Sequence, residues 1–199
     1  MRTYSKLALA ALTALLVLSI GAGTAFASTG IELTPKGANS AAGTITFSSP
    51  EAEGIRIRCR VTLTLANVGE GGTAKRTETV VANITGVRVA ECEGGTVTVL
   101  APEVARPWRA TYVSFRGTLP RIESVRLELR GVAFLIRAFV SCLYGGNAQG
   151  TTVGSPVTEL RADEAINIPL VRALTIGCPA SGNFRGSMRL ERAITLRLV

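Results

Sequence analysis

Three arginines, Arg56, Arg58 and Arg60, alternate with apolar residues within one short stretch of the chain. In an extended strand, alternate side chains share a face and stand about 6.6 Å apart, so the three guanidinium groups would form a row. Guanidinium groups bind phosphate and carboxylate through paired hydrogen bonds, which makes the row a candidate anion-binding site. The alternative is a solvated strand face on which carboxylates of a neighbouring strand neutralise the arginines. The glutamates available for that role are Glu78, Glu91 and Glu93.

Two aromatic residues, Trp108 and Tyr112, lie four positions apart, so their rings share one face of a strand. Such a pair can stack against a sugar ring, and both residues are candidates for ligand stacking. A core position explains them equally well, because a buried tryptophan packed against a disulfide is common in β-sandwiches. Aromatic residues make up only 5% of the chain, which argues against single-stranded nucleic acid as a partner, since its recognition needs stacking rings beside a basic groove.

Two pairs of glutamates, Glu51 with Glu53 and Glu91 with Glu93, each place two carboxylates on one side of an extended segment. The carboxylates of such a pair stand about 7 Å apart, within the range used for inverting glycoside hydrolysis. Catalytic carboxylates, however, usually face each other across a cleft from different strands. A secreted carboxylate-dependent glycoside hydrolase is therefore kept as the alternative function.

The chain has 199 residues and no histidine. Ser-His-Asp catalysis, Cys-His catalysis and imidazole metal ligands are all excluded by that absence. Asp163 is the only aspartate, so an aspartate-rich calcium loop is absent as well. We therefore expect a non-enzymatic protein with no catalytic residue, no cofactor and no metal site.

Four cysteines, an even number, predict two disulfides in an exported protein. They are Cys59, Cys92, Cys142 and Cys178. A zinc site built from them would normally include a C-x-x-C pair, which the sequence lacks. Three connectivities are open, and we favour Cys59 with Cys92 and Cys142 with Cys178 because each bond then joins neighbouring segments through loops of similar length. Each such loop is worth about 3 to 4 kcal/mol.

The N-terminus has the three parts of a secretory signal peptide. Arg2 and Lys6 precede an apolar stretch that ends in Ala25-Phe26-Ala27, so we expect cleavage after residue 27. An uncleaved anchor is the alternative. After cleavage, residues 28–199 would form a single secreted or envelope-associated domain without a membrane span. The chain's formal net charge is +8, and the excess of cations that remains favours anionic partners.

The clearest structural pattern runs from Ile55 to Leu65, where apolar and polar residues alternate strictly. This period of two predicts a half-buried strand, and weaker alternation over residues 125–130 and 188–198 predicts further strands. Gly-rich and Pro-rich stretches predict turns between the strands. The turn stretches are Gly69-Glu70-Gly71-Gly72, Gly94-Gly95, Gly145-Gly146-Asn147 and Pro179-Ala180-Ser181-Gly182. The fold predicted is all-β and antiparallel: a two-sheet sandwich, immunoglobulin-like or related, or a barrel-like arrangement, after an N-terminal signal helix.

Four short motifs mark the second half of the chain: Pro107-Trp108, Gly117-Thr118-Leu119-Pro120, Cys142-Leu143-Tyr144-Gly145-Gly146 and Cys178-Pro179. Through them the chain resembles uncharacterised secreted β-rich proteins of high-GC Gram-positive bacteria, over residues 59–199. The resemblance implies an exported, disulfide-bearing β domain. It implies no activity, so no catalytic or binding residue is carried over from it.

These observations together predict a secreted, non-enzymatic binding or structural module with a cationic face. The partner expected is an anionic cell-wall polymer or another envelope protein, since an exported cationic protein meets such molecules first.

Overall fold

The structure, a computed structural model, describes residues 31–49, 55–67, 80–100, 106–117 and 122–198. The predicted signal helix, residues 1–27, lies outside these ranges. Within them the chain forms strands and no helix. The strands are β1 (Ile31–Thr34), β2 (Gly37–Ser48), β3 (Arg56–Asn67), β4 (Val80–Glu93), β5 (Thr96–Val99), β6 (Trp108–Arg116), β7 (Ser124–Arg137), β8 (Ser141–Val153), β9 (Val157–Ala173) and β10 (Ser181–Leu198).

The strongest alternating pattern of the sequence forms β3, as predicted. Its side chains point alternately inward and outward: Ile57 and Cys59 are buried, whereas Arg58 and Arg60 are exposed. The weaker patterns over residues 125–130 and 188–198 fall within β7 and β10, which confirms those two predictions as well. Each of these strands therefore has one face in the core and one in solvent.

The sheet closes on itself through β10, which pairs with β2 on one side and with β9 on the other. The closed ring has the strand order β10-β2-β3-β4-β6-β7-β8-β9, and its neighbouring strands are antiparallel. Two short strands lie off the ring, β1 against β10 and β5 against β7. The predicted all-β antiparallel fold is confirmed, and its ring-like bonding corresponds to the barrel-like form of the prediction.

The hydrophobic core lies in the interior of this ring. Phe47 on β2 contacts Phe134 on β7, with 5.5 Å between ring centroids, although these strands stand four places apart in the ring of eight. Phe184 on β10 completes the cluster, 6.2 Å from Phe134. Aromatic rings in such edge-on contacts add to the apolar burial that holds opposite walls together.

One predicted turn, Gly145-Gly146-Asn147, is wrong, because these residues lie inside β8. A Cβ added at Gly146 would lie 3.3 Å from the Pro169 ring, and Gly146 has φ +150°, so glycine permits the close approach of β9 here. Gly94-Gly95 does separate β4 from β5, as predicted. The predicted turn at residues 69–72 lies outside the described residues.

Both disulfides join the cysteines that the sequence analysis favoured. Cys59 on β3 is bonded to Cys92 on β4, and Cys142 on β8 is bonded to Cys178 in the loop before β10. The described residues include no free cysteine.

Candidate anion-binding site

The predicted arginine row lies on the outer face of β3. Arg56, Arg58 and Arg60 are all exposed, because the residues between them point into the ring. The row is therefore open to solvent along its length, as an anion-binding site requires.

The neighbouring strand β2 presents only small side chains beside this row. Across the β2–β3 ladder, Ser48 is paired with Arg56 and Thr46 with Arg58. Hydroxyl-bearing side chains of this size do not reach as far from the sheet as arginines do. The side chains of β2 consequently extend less far from the outer face of the sheet than the arginines of β3 do.

Strand β10 supplies a second cationic flank on the far side of β2. Arg185 is paired with the same Thr46 that faces Arg58, and Asn183 is paired with Ser48. Arg185 is exposed. Since adjacent strands are about 4.8 Å apart, the backbones that carry Arg58 and Arg185 are separated by about 9.6 Å.

The two flanks enclose a concave region of the outer surface, which we term the cationic depression. Its volume is about 600 Å³. It is lined by Thr46, Ser48, Arg56, Asn183, Arg185 and Gly186. Arg58 stands at its end, in the same row as Thr46 and Arg185.

Gly186 allows β10 to come close enough to β2 to form this depression. A Cβ added at Gly186 would lie only 2.1 Å from the Thr44 carbonyl oxygen, and the residue has φ +155°. The β9–β10 ladder also shifts register between Phe184 and Gly186. Only glycine satisfies both the backbone conformation and the close contact.

The arginines of this surface differ in their partners. Arg60 forms an ion pair with Glu91, with 2.9 Å between Nη1 and Oε2. For Arg60, therefore, the alternative holds in which a carboxylate of the neighbouring strand neutralises the arginine. Among the described residues, neither Arg56 nor Arg58 has an ion-pair partner, and the same is true of Arg185. Three guanidinium groups around the depression thus remain available to an external anion.

One residue that lines the depression, Asn183, carries a buried acceptor. The side-chain oxygen of Asn183, Oδ1, is buried and has no hydrogen-bond donor in the described part of the chain. Burying a polar atom without a partner costs about 1 to 3 kcal/mol. A ligand that turns the Asn183 amide toward the depression and donates a hydroxyl or amine hydrogen to Oδ1 would remove that cost.

Glu91 and Glu93 lie at the outer edge of the arginine row. Arg58 is paired with Glu93 and Arg60 with Ala90, so two residues of β4 bulge opposite Cys59, and Glu91 has φ +48°. Both carboxylates are exposed at a shallow surface beside Arg58 and Arg60. Glu51 and Glu53 lie outside the described residues. The hydrolase alternative stays a prediction.

The aromatic pair lies in the core rather than on the surface. Trp108 is 7% exposed and Tyr112 is 8% exposed. Burial raises the pKa of the Tyr112 hydroxyl above its ordinary value of 10.0. Stacking of a sugar on the outer surface would need exposed rings, so their placement matches the core alternative.

Within the described ranges, no group of three or more His, Cys, Asp or Glu side chains is placed to hold a metal ion. No helix there is long and apolar enough to cross a membrane.

Sequence reasoning missed Arg185 and Asn183, which complete the depression. The alternation Asn183, Arg185, Arg189 against Phe184 and Met188 does place these polar residues on an outer face. What the sequence does not reveal is that β10 pairs with β2, a strand more than a hundred residues away.

Comparisons of the chain with protein-family models, with curated proteins and with solved structures give no match. The function is therefore argued from the geometry of the site.

Proposed function

We propose that this protein is an exported, non-enzymatic module that binds an anionic glycopolymer of the cell envelope in the cationic depression. The observation that carries the proposal is the placement of Arg56 and Arg58 on one side of β2 and Arg185 on the other. Small side chains separate the two flanks, so a linear chain can lie along β2 with a cation on each side.

The arginines favour a ligand with phosphate or carboxylate groups. A guanidinium group binds either group through two parallel hydrogen bonds, and charge-assisted bonds of this kind are about twice as strong as neutral ones. The exposed position of the arginines means that the attraction is screened by salt, which is the behaviour expected of a surface polyanion site.

The buried Asn183 oxygen favours a ligand that also carries hydroxyl groups. A polyol phosphate or an acidic polysaccharide offers a hydroxyl donor next to an anionic group, which matches a depression lined by Asn183, Arg56 and Arg185. An inorganic anion alone would leave this acceptor unpaired.

Two disulfides support a location in an oxidising compartment, because such bonds persist mainly outside the reducing cytosol. The predicted signal peptide supports secretion, and the net charge supports retention at the envelope, since the full chain's +8 falls only to +6 when Arg2 and Lys6 leave with the signal. A cationic protein in that location encounters anionic wall polymers at high local concentration.

The proposal is tested by binding of the oxidised protein to poly(glycerol phosphate), with neutral dextran as the comparison polymer, across a salt titration. We expect binding to the phosphate polymer that weakens as salt rises, and none to dextran. The double variant Arg58→Gln/Arg185→Gln should bind at least about tenfold more weakly, since it loses two charge-assisted contacts.

The matched control is Arg109→Gln/Arg137→Gln, which removes the same charge from exposed positions on β6 and β7. This variant should bind almost as well as the wild type. Equal losses in the two variants would mean that net charge alone drives binding, and would overturn the site. Absence of wild-type binding at low salt would overturn the function itself.

A further inference from the structure

The interior of the strand ring is not completely filled. A chamber of about 130 Å³ lies inside it, and almost all of its lining is apolar. A closed ring of eight strands is just wide enough either to be filled by side chains or to hold one small ligand. Which of the two applies depends on the sizes of the inward-facing residues.

Alanines at inward-facing positions create this chamber. Ala82 on β4, Ala110 on β6, Ala148 on β8 and Ala162 on β9 all line it, and each is buried. Ala82 and Ala110 are direct partners across the β4–β6 ladder, so two small side chains lie side by side. Small side chains on four different strands thus leave the same part of the interior unfilled.

A second chamber of about 80 Å³ adjoins the first. Trp108 and Val132 belong to its lining, and the two chambers share Ile45, Leu63, Leu129, Phe184 and Met188. Met188 is unbranched and adapts its shape more readily than Leu or Ile. Because Met188 lines both chambers, a change in its conformation would connect them.

The first chamber meets an interruption in the wall. In the part of the chain that the structure describes, β8 and β9 have no paired residues between the pairs Tyr144–Leu170 and Thr151–Arg161, although Gly146 still lies close to Pro169 at one end of this stretch. Gln149 and Arg161 stand at this interruption, line the chamber and are exposed on the outside. The chamber thus reaches the outer surface between two strands.

We propose that the ring binds one unbranched acyl chain, which occupies both chambers and leaves its polar end between β8 and β9. An apolar cavity of about 150 Å³ stays free of water and accepts apolar guests the size of benzene. Two adjoining chambers of about 130 and 80 Å³, with Met188 between them, fit a thin chain better than one compact ring. The exposed Gln149 and the Arg161–Glu159 ion pair provide a polar setting for the end group.

The test is a calorimetric titration of the delipidated, oxidised protein with carboxylates of increasing chain length, from hexanoate to tetradecanoate, and with benzene. We expect one chain per protein, with affinity rising about fourfold for each methylene until both chambers are full. Longer chains should then gain nothing. A negative heat-capacity change should accompany binding, since apolar surface is buried.

Filling the first chamber should abolish chain binding without unfolding the protein. Ala110→Leu places a larger side chain in the existing space, so we expect an unchanged or higher Tm together with at least a tenfold loss of decanoate affinity. Ala148→Leu fills the same chamber from another strand, and the same binding test is made with it if Ala110→Leu does not fold. The control, Ala193→Leu, makes the same change at an exposed position of β10.

The proposal is overturned if no carboxylate binds, if benzene binds and the chains do not, or if Ala110→Leu binds decanoate as the wild type does. It is independent of the cationic depression, so Arg58→Gln/Arg185→Gln should retain wild-type affinity for decanoate.

Discussion

Arg58 and Arg185 lie in one row across the sheet, each paired in register with Thr46 from the opposite side. The two arginines are 127 positions apart in sequence, yet the closure of the ring through β10 separates them by only one strand. Ring closure thus turns a single row of arginines into a depression with two cationic flanks.

Removing the partner of Arg60 should strengthen anion binding. Glu91→Gln breaks the exposed Arg60–Glu91 pair and removes a negative charge beside the arginine row. We expect about a twofold rise in affinity for poly(glycerol phosphate) at low salt, and a change of less than about 1 kcal/mol in the free energy of unfolding. Glu123→Gln, which removes an exposed carboxylate elsewhere, should leave the affinity unchanged. Lower affinity in Glu91→Gln would contradict the role given to Arg60.

Gly186 should be intolerant of any side chain. In Gly186→Ala the new Cβ would meet the Thr44 carbonyl at 2.1 Å, so β10 must move away from β2. We expect a loss of about 2 kcal/mol or more in the free energy of unfolding, measured with denaturant, together with weaker polymer binding. Gly86→Ala is the control, because its nearest contact would be the Thr64 side chain at 3.3 Å. Equal stability losses in the two variants would refute the steric argument.

The acid stability of the ring should depend on Glu159. Its hydrogen bond from Arg161, helped by one from Ser187, holds the pKa of the Glu159 carboxyl below its ordinary value of 4.5. Because the pKa is lower in the folded protein, the ionised carboxylate stabilises the fold fully at pH values above its ordinary pKa. This stabilisation is lost as the pH falls through the lower, folded-state pKa. The side chains of the pair are partly exposed, at 42% for Arg161 and 29% for Glu159, so solvent screening should keep the effect below about 1 kcal/mol.

The measurement is Tm against pH, from pH 6 to pH 2, for the wild type and Glu159→Gln. The difference in Tm should be greatest near pH 6 and shrink at the acid end. A difference that is constant over this range would show that the carboxylate's ionisation contributes nothing.

Each disulfide should contribute substantially to stability. Cys59→Ala/Cys92→Ala removes a crosslink between residues 33 positions apart, and Cys142→Ala/Cys178→Ala removes one between residues 36 positions apart. The nearly equal loops predict nearly equal losses of about 3 to 4 kcal/mol in the free energy of unfolding, measured by denaturant titration. A loss below about 1 kcal/mol in both variants would contradict this loop-entropy account.

The sequence predicts the individual strands of this protein better than it predicts how the sheet closes into a ring. Strict alternation around Cys59 predicts β3, because a half-buried strand leaves a period of two in its own residues. β2 begins at Gly37, where a run of small residues carries little periodicity. β8 continues through Gly145 and Gly146 because β9 packs closely there, a tertiary contact that a local turn signal cannot reveal.

Only part of the candidate site could be predicted, because the sequence reveals strands but not which distant strands pair. The β3 arginines are visible in one stretch of sequence, whereas Arg185 and Asn183 join them only through the β10–β2 pairing. The interior chambers were not predicted at all. Ala82, Ala110 and Ala148 look like ordinary small residues until the ring brings them to one place.

The central claim is that a polyanion lies along β2, between the arginines of β3 and β10. Its most direct test is an NMR titration of the ¹⁵N-labelled, oxidised protein with short poly(glycerol phosphate), following the backbone amide signals. We predict that the largest shifts occur at Thr46, Ser48, Asn183 and Arg185, and that they shrink as salt is added. Shifts concentrated on β6 and β7, or spread evenly over all exposed arginines, would contradict the claim.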